Sequence, residues 1–295
     1  MTLFGTAEIY GGGRSEWILG EALADDREST FLATKVWPVA PSASLVRRRA
    51  SASCGRLQAP HLDLYQVHWE NPLFPDGPFM RGMRSLLRSG VIDEVGVSGY
   101  SLDRWRASDE ALGGRVLSNQ VGYSLIDRRP EQDVIPFAAS HGRAIIAFSP
   151  LAKGLLSGKY LRGHTPTGSA RTADPLFHPD MLARVRGLLS TLQEVAEAHS
   201  AAEAQVALAW VIHSPAVVAI PGASSVEQLE SNVAAAEIAL SDGEYQALNE
   251  ASASFTSVEV AGRSGHPILS AMKHWVKGGA LVAQTIWNDH AASRS

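Results

Sequence analysis

The sequence contains very little cysteine, and this scarcity limits the classes of protein to which it can belong. Cys54 is the single cysteine among 295 residues, so a framework of intramolecular disulfides is excluded and a reducing compartment is allowed. The chain does not open with a basic segment followed by an apolar one, the pattern of a secretory signal peptide. No apolar run approaches the roughly 20 residues that a membrane-spanning helix needs. These absences predict a cytoplasmic protein with no membrane partner.

Charged residues, metal-binding motifs and nucleotide-binding motifs are also scarce in this sequence. Charged residues make up 19% of the chain and the net charge is −4, so no broad basic surface indicates a nucleic-acid partner. None of the ten histidines falls in an HxH or HExxH spacing, so we expect no metal site. No GxGxxG motif opens a helix after a strand, because the glycine run Gly11–Gly13 has the wrong spacing. The sequence therefore disfavours a doubly wound dinucleotide-binding domain.

What the sequence does contain is a regular alternation of short apolar runs and amphipathic segments. Hydrophobic residues make up 45% of the chain, enough for a sizeable core. The predicted strands are Thr2–Ala7, Thr30–Lys35, Leu62–His68, Val91–Ser98, Val116–Val121, Arg143–Phe148 and Val217–Ile220. The predicted helices are Ser15–Ala24, Ser42–Leu57, Phe79–Arg88, Leu102–Leu112, Pro130–Ser140, Met181–His199, Ala202–His213 and Val226–Ala236, with Ser101 and Ser225 as N-caps.

Repeated strand–helix units without a nucleotide motif favour a closed α/β barrel with a parallel sheet. In such barrels the chemistry lies at the C-terminal ends of the strands. We expect a single domain over residues 1–295, with an atypical tail from about residue 253. The stretch Gly163–Pro175, rich in Gly, Thr and Pro, predicts a long active-site loop. The charge run Arg47–Arg49 predicts a solvated helix face.

Three predicted strand ends lead to residues that suit one reaction, the reduction of a carbonyl group. The first leads to Tyr10, the second ends at Lys35 and the third ends at His68. A tyrosine hydroxyl donates a proton, a nearby ammonium stabilises the phenolate, and a neutral imidazole orients the carbonyl oxygen. Taken singly, each residue also fits a packing or solvated role. Their recurrence in adjacent units favours a shared catalytic role.

Seven segments carry a family resemblance: TAEIYGGGRSE, ATKVWP, DLYQVHWENP, GVSGYS, NQVGYSLIDRRPE, AFSPLAKGLLSGKY and IPGASSVEQLESN. In this order, over Thr2 to Leu240, they resemble the bacterial branch of the aldo-keto reductase family. The resemblance implies a (β/α)8 TIM-type barrel that binds NADP(H) in an extended form, without a Rossmann fold. It further implies that the usual first βα unit is missing from the N-terminus of this sequence.

The resemblance also implies residue roles. Tyr10 matches the proton donor, Lys35 its partner and His68 the residue that orients the substrate. The nicotinamide end of the cofactor would be held by Ser98, Gln120 and Phe148. The pyrophosphate would lie along Ser149, Leu151, Lys153 and Gly154. The adenosine end would be held by Gly222, Ala223, Ser224, Gln228 and Asn232, in a segment that enters a helix and so suits anion binding.

Three residues depart from the pattern of that family. Gly5 stands where the family has an aspartate that pairs with the lysine, which bears on turnover. Gly99 replaces an asparagine that contacts the nicotinamide carboxamide. Ser224 replaces a frequently basic residue, which weakens the expected grip on the 2′-phosphate of NADP(H).

The closure of the barrel is left open by the sequence. Seven strands precede the tail, one short of eight, through either a misassigned start or a real loss. The tail predicts a helix over His266–Lys277 and an apolar segment over Ala280–Trp287. That segment would be a closing strand, a helical extension or a layer packed outside the barrel. Alternatively, another subunit fills the gap between the last and the first strand, or that gap stays open.

The function expected from these features is the NADPH-dependent reduction of an aldehyde or ketone. Trp37 and Trp69 follow catalytic candidates and would wall a substrate pocket, or else pack in the core. One alternative is a catalytically weakened barrel that binds cofactor or a partner and regulates another process. Another is a barrel that performs nonreductive chemistry. The substrate is a small carbonyl compound, and the oligomeric state is not readable from the sequence.

Overall fold

The computed structural model describes residues 2–39, 42–160, 162, 164 and 174–255. These residues form two compact units, one over residues 2–119 and one over residues 120–255. The predicted tail elements His266–Lys277 and Ala280–Trp287, and most of the predicted loop Gly163–Pro175, lie outside the described residues. The expectation of a single domain stays a prediction.

Parallel strands and intervening helices make up the first unit. Its strands are β1 (Leu3–Gly5), β2 (Phe31–Val36), β3 (Leu62–Val67), β4 (Ile92–Ser98) and the first part of β5 (Val116–Gly122). Its helices are α1 (Arg14–Ala22), α2 (Ala43–Leu57), α3 (Gly77–Ser89) and α4 (Leu102–Ala111). Strands β1 to β4 pair in parallel in chain order. Their carboxyl ends therefore meet at one edge, where the catalytic candidates follow.

Burial explains why the strands of this unit read as nearly continuous apolar runs. The central strands β2 and β3 are covered on both faces, so Leu32, Leu64 and Val67 are almost fully buried. Two polar side chains of β2 have partners that offset their burial. Thr34 donates a hydrogen bond to Glu16 of α1 at 2.6 Å, and Lys35 donates one to a backbone carbonyl.

The second unit contains β6 (Ala144–Phe148) and β7 (Val217–Ile220), which pair in parallel. Its helices are α5 (Val134–Ser140), α6 (Pro179–Ala198), α7 (Glu203–Val211), α8 (Val226–Ala234) and α9 (Asp242–Ser252). The longest, α6, buries Val185, Leu188 and Leu192 at helical spacing. No helix within the described ranges is long and apolar enough to cross a membrane.

The seven predicted strands are all present in the described residues, whereas one predicted helix start was wrong and one helix was not predicted. The predicted start of a helix at Pro130 fails, because Arg129–Gln132 form a 3-10 turn and α5 begins only after Asp133. Asp133 has a non-helical backbone and its side chain accepts a hydrogen bond from the Val134 amide. The helix α9 was missed, although Ser241 and Glu244 form a capping box at its start.

Candidate active site

Tyr10 follows β1 in a short helical turn over Tyr10–Gly13. Its hydroxyl lies 3.4 Å from Nε2 of His68, and the two rings meet edge to face with centroids 5.4 Å apart. His68 directly follows β3. Tyr10 is 42% exposed, so its hydroxyl is accessible to a substrate, while partial burial raises its pKa. The structure thus brings the predicted proton donor and the predicted orienting histidine together.

Lys35 lies near the end of β2 and is only 2% exposed. Its ammonium donates a hydrogen bond to the Thr6 carbonyl at 2.9 Å and lies 5.4 Å from the centroid of the Tyr10 ring. Burial lowers the pKa of Lys35 to about 8, because desolvation disfavours the charged form. The ammonium of Lys35 is therefore close to its titration point at mildly alkaline pH.

Gly5, the last residue of β1, leaves space at the position where the resemblance implies an aspartate. A Cβ atom built on Gly5 would meet no atom within 4 Å. No carboxylate in the described residues forms an ion pair with Lys35, whose hydrogen-bond acceptor is the neutral Thr6 carbonyl. The missing carboxylate is thus not replaced by a described neighbour, and its absence leaves Lys35 without the electrostatic support that would keep its pKa high.

Gly13, the last residue of the glycine run after Tyr10, lies too close to a neighbouring side chain to carry a Cβ atom. Gly13 has a φ of 94°, and a Cβ atom there would lie 2.7 Å from Cδ of Arg56. Arg56 approaches closely because its Nε donates to the buried carboxylate of Glu16 at 2.5 Å. A larger residue at position 13 would displace this ion pair between α1 and α2, and with it the turn that carries Tyr10.

A second buried carboxylate, Glu8, holds the start of the loop after β2. Its Oε1 accepts a hydrogen bond from the Trp37 amide at 2.5 Å, and Arg49 donates to the Trp37 carbonyl at 2.7 Å. Burial raises the pKa of Glu8, opposed by the Arg49 guanidinium 3.5 Å away. The prediction of a solvated face was thus wrong for Arg49, because its guanidinium also lies 5.6 Å from the Trp37 ring centroid.

The two tryptophans expected to wall a substrate pocket differ in exposure. Trp37 is 7% exposed, whereas Trp69 is half-buried, with its ring centroid 4.9 Å from that of His68. Trp69 therefore contacts a catalytic candidate directly. The pocket role of both tryptophans stays a prediction.

The loop over residues 69–76, which follows His68, is held by one guanidinium that the sequence did not single out. Arg104 of α4 forms an ion pair with Asp76 and donates to the Asn71 carbonyl at 2.9 Å and the Phe74 carbonyl at 3.0 Å. Asp76 also accepts a hydrogen bond from the Tyr100 hydroxyl at 2.6 Å. Arg104, Asp76 and Tyr100 therefore form a clamp, here called the Arg104 clamp.

The turn after β4 is fixed by a buried amide. Asn119 is fully buried, and its Nδ2 donates to the Tyr100 carbonyl at 2.8 Å. Gly99, which directly precedes Tyr100, has a φ of 65°, a left-handed conformation that glycine and asparagine tolerate best. Ser98, the last residue of β4, is 7% exposed at this turn. Sequence reasoning missed Asn119, although it directly precedes the predicted cofactor residue Gln120.

In the second unit, the remaining cofactor candidates gather around β6 and α8. Gln120 is 6% exposed in β5, and Phe148 ends β6, where its carbonyl accepts from the Tyr123 amide at 3.3 Å. A cleft of about 710 Å³ follows, and nine predicted residues line it: Ser149, Leu151, Lys153, Gly154, Gly222, Ala223, Ser224, Gln228 and Asn232. The structure thus brings these nine together, while their binding role stays a prediction.

One wall of the cleft is a loop with unusual backbone conformation. Ser149, Ala152, Lys153 and Gly154 have positive φ values between 48° and 89°. The ammonium of Lys153 forms an ion pair with Asp174. Lys159, which the sequence did not single out, also lines the cleft.

The other wall is the start of α8. Ser225 caps this helix by accepting a hydrogen bond from the Gln228 amide at 3.3 Å, as predicted. The Oε1 atom of Gln228 accepts from both the amide and the hydroxyl of Ser224, at 2.9 and 3.0 Å. Glu227 lines the cleft as well and was not predicted. The ammonium groups of Lys153 and Lys159 give the cleft two cations that fit the pyrophosphate of a dinucleotide.

A histidine–aspartate cluster lies at the start of β3 and β4, away from the strand ends that lead to the catalytic candidates. Nε2 of His61 lies 3.2 Å from Asp93 and 3.7 Å from Asp63. Their potential ligand atoms lie within 4.8 Å of one another. Arg27 forms an ion pair with Asp63 at 2.8 Å. Because that carboxylate already has a cationic partner, the cluster is explained as an ionic network.

Comparison with known proteins identifies relatives along most of the chain. The model of the Aldo/keto reductase family matches residues 1–253. The uncharacterised oxidoreductase Rv2298 of Mycobacterium tuberculosis is 54% identical over 258 residues, covering 88% of this chain and 80% of that protein. The methylglyoxal reductase YeaE of Escherichia coli is 32% identical, covering 85% of this chain and 80% of that protein.

A solved structure of the same family is similar to this chain in its fold. The crystal structure of an aldo-keto reductase from Klebsiella pneumoniae in complex with NADPH matches with 30% identity and a TM-score of 0.71, covering 88% of this chain and 81% of that one. The family match and this likeness confirm the predicted fold class, a (β/α)8-type barrel.

Proposed function

Since this chain belongs to the aldo/keto reductase family and is an oxidoreductase that uses NADP(H), we propose that it reduces a small aldehyde or ketone with Tyr10 as proton donor. The observation that carries the proposal is the contact of the Tyr10 hydroxyl with His68, beside the buried ammonium of Lys35. A proton donor, an orienting imidazole and a cation then face one accessible position.

A dihydronicotinamide held in this site would supply the hydride that the carbonyl carbon accepts. Nε2 of His68 donates a hydrogen bond to the carbonyl oxygen and orients it beside the Tyr10 hydroxyl, which lies 3.4 Å from that nitrogen. Tyr10 gives its proton to the oxygen as negative charge develops there, so that the product is an alcohol. The Lys35 ammonium stabilises the resulting phenolate, and the exposed Tyr10 regains a proton from water.

The nucleotide is held by the cleft of the second unit in this proposal. Lys153 and Lys159 would bind the pyrophosphate, and the residues at the start of α8 would hold the adenosine. Ser98, Gln120 and Phe148 would hold the nicotinamide. The predicted cytoplasmic location is part of the proposal.

The experiment is a carbonyl panel with NADPH, followed by the loss of nicotinamide absorbance. Methylglyoxal is the first compound to test, because YeaE, a relative with 32% identity, is named a methylglyoxal reductase. Turnover that is lost in Tyr10→Phe supports the proposal. Turnover that survives in Tyr10→Phe would exclude Tyr10 as the donor.

The alternative is a catalytically weakened barrel that binds cofactor in a regulatory role. It is favoured by one observation, the absence of any described carboxylate paired with Lys35, next to the open space at Gly5. Tight NADPH binding without turnover on any carbonyl in the panel would support this alternative.

A further inference from the structure

We propose that the cleft of the second unit does not select the 2′-phosphate that distinguishes the two nicotinamide cofactors, so that this chain binds NADH at least as tightly as NADPH. The inference rests on the proposed function, because it concerns the cofactor of that reaction. It is carried by the distribution of charge on the walls of the cleft.

The cations of the cleft lie on one wall only. Among the described lining residues, Lys153 and Lys159 are the basic ones, and both belong to the loop after β6. The wall formed by α8 carries the carboxylate of Glu227. Within α8 a second carboxylate, Glu230, follows, and the helix contains no lysine or arginine.

The shortage of cations extends well beyond this helix. Residues 187–255 contain no lysine or arginine and nine aspartates or glutamates. The segment that supplies α7, β7, α8 and α9 therefore offers no basic side chain to an anion. An additional phosphate placed against this wall meets a negative field, which disfavours it.

Groups other than a 2′-phosphate already compete for the two lysines. Lys153 forms an ion pair with Asp174. The pyrophosphate is present in NADH and in NADPH, and it competes for the same two cations. A 2′-phosphate adds up to about two further negative charges, for which the described residues of the cleft hold no additional cation.

The polar donors at the start of α8 are likewise occupied. The amide and the hydroxyl of Ser224 both donate to Oε1 of Gln228, and the amide of Gln228 donates to Ser225. A phosphate would have to break these bonds to use the helix N-terminus. Because these donors are already used, the N-terminus of α8 offers fewer hydrogen bonds to an anion than a helix start with uncapped amides.

The carboxylate suits a ribose better than a phosphate. A hydrogen bond from Ser225 lowers the pKa of Glu227, so the group is ionised at neutral pH. An ionised carboxylate accepts a hydrogen bond from the 2′-hydroxyl of NADH, as acidic residues do in other dinucleotide sites. The same carboxylate repels the 2′-phosphate of NADPH.

The test measures the dissociation constants of both cofactors by quenching of protein fluorescence, without a carbonyl substrate. We expect the constant for NADH to be equal to or smaller than that for NADPH. A dissociation constant for NADPH that is smaller than the one for NADH overturns the inference and leaves the proposed function intact. Failure of both cofactors to bind overturns both.

Matched variants test which residues of the α8 wall set the preference between NADPH and NADH. Ser224→Arg adds a cation to the α8 wall and is expected to raise the ratio of NADPH affinity to NADH affinity by roughly tenfold. Glu227→Gln is expected to tighten NADPH binding about two- to fivefold, and this gain shrinks with added salt. Glu230→Gln, which removes a carboxylate from the same helix outside the cleft lining, is the control and leaves the ratio unchanged. Equal effects of both glutamine variants would overturn the role given to Glu227.

Discussion

The candidate catalytic cluster of residues 2–119 and the cleft of residues 120–255 are built by different means. In the first unit, side chains with specific partners shape the candidate site, such as Lys35 on the Thr6 carbonyl and Arg104 on Asp76. In the second, left-handed backbone in the loop after β6 and the exposed start of α8 shape the cleft. We therefore expect single substitutions to cost more activity or stability in the first unit than in the second.

The largest effect is expected for Tyr10→Phe. The substitution keeps the ring beside His68 but removes the proton donor, so carbonyl reduction should fall by about 10²–10⁴-fold. Cofactor affinity should change little, because the proposed mechanism places the hydroxyl against the carbonyl substrate. Steady-state rates and fluorescence titration measure the two quantities. Tyr245→Phe, which removes a hydroxyl from α9, serves as the control, and an equal loss of rate in both variants would contradict the assignment.

The Arg104 clamp is expected to give the next largest effect. Arg104→Met leaves Asp76 largely buried without its cation, a change that costs about 3 kcal/mol of folding free energy. The melting temperature should fall by roughly 5–10 °C. Because residues 69–76 would lose their anchor beside His68, KM for the carbonyl should rise more than kcat falls.

A conservative variant separates positioning from bulk stability in this clamp. Arg104→Lys keeps the charge but loses the donors to the Asn71 and Phe74 carbonyls. We expect it to recover part of the melting temperature and little of the KM. A KM that recovers in proportion to the melting temperature would reduce Arg104 to a purely structural role.

The Gly5→Asp variant is expected to change the pH dependence of the rate. In the parent, burial holds the Lys35 pKa at about 8, so the ammonium is present below that pH and is lost above it. Activity should therefore decline as the pH rises through about 8. A carboxylate at position 5 would raise the Lys35 pKa and move this decline to higher pH, with a few-fold higher rate on the alkaline side.

The uncharged analogue is the control for Gly5→Asp. Asn has nearly the same volume, and position 5 has open space for either side chain. Gly5→Asn should leave the alkaline limb in place. Identical profiles for the Asp and Asn variants would show that the missing carboxylate is not a catalytic lesion.

The sequence predicts some residues of the candidate site in the first unit and misses others. The proximity of Tyr10, Lys35 and His68 was predictable from the sequence, because the carboxyl ends of neighbouring parallel strands meet at one edge of a sheet. Asn119 and Arg104 were not, because their roles depend on backbone carbonyls that only the folded chain brings near. The contact of Arg49 with Trp37 was not predictable for the same reason, since a run of three arginines normally indicates a solvent-exposed helix face.

The smallest effect is expected for helix caps, where the two units give a matched pair. Both Ser101 and Ser225 were predicted as N-caps, and both occupy that position, but only Ser225 uses its side chain, which accepts from the Gln228 amide at 3.3 Å. Ser225→Ala should therefore cost about 1 kcal/mol and lower the melting temperature by roughly 2–4 °C. Ser101→Ala should leave it within about 1 °C, because the hydroxyl makes no cap hydrogen bond and the amide keeps its bond to Glu70 at 3.1 Å. Thermal unfolding of the two variants under one condition decides the matter, and an equal loss in both would mean that Ser101 caps α4 in solution.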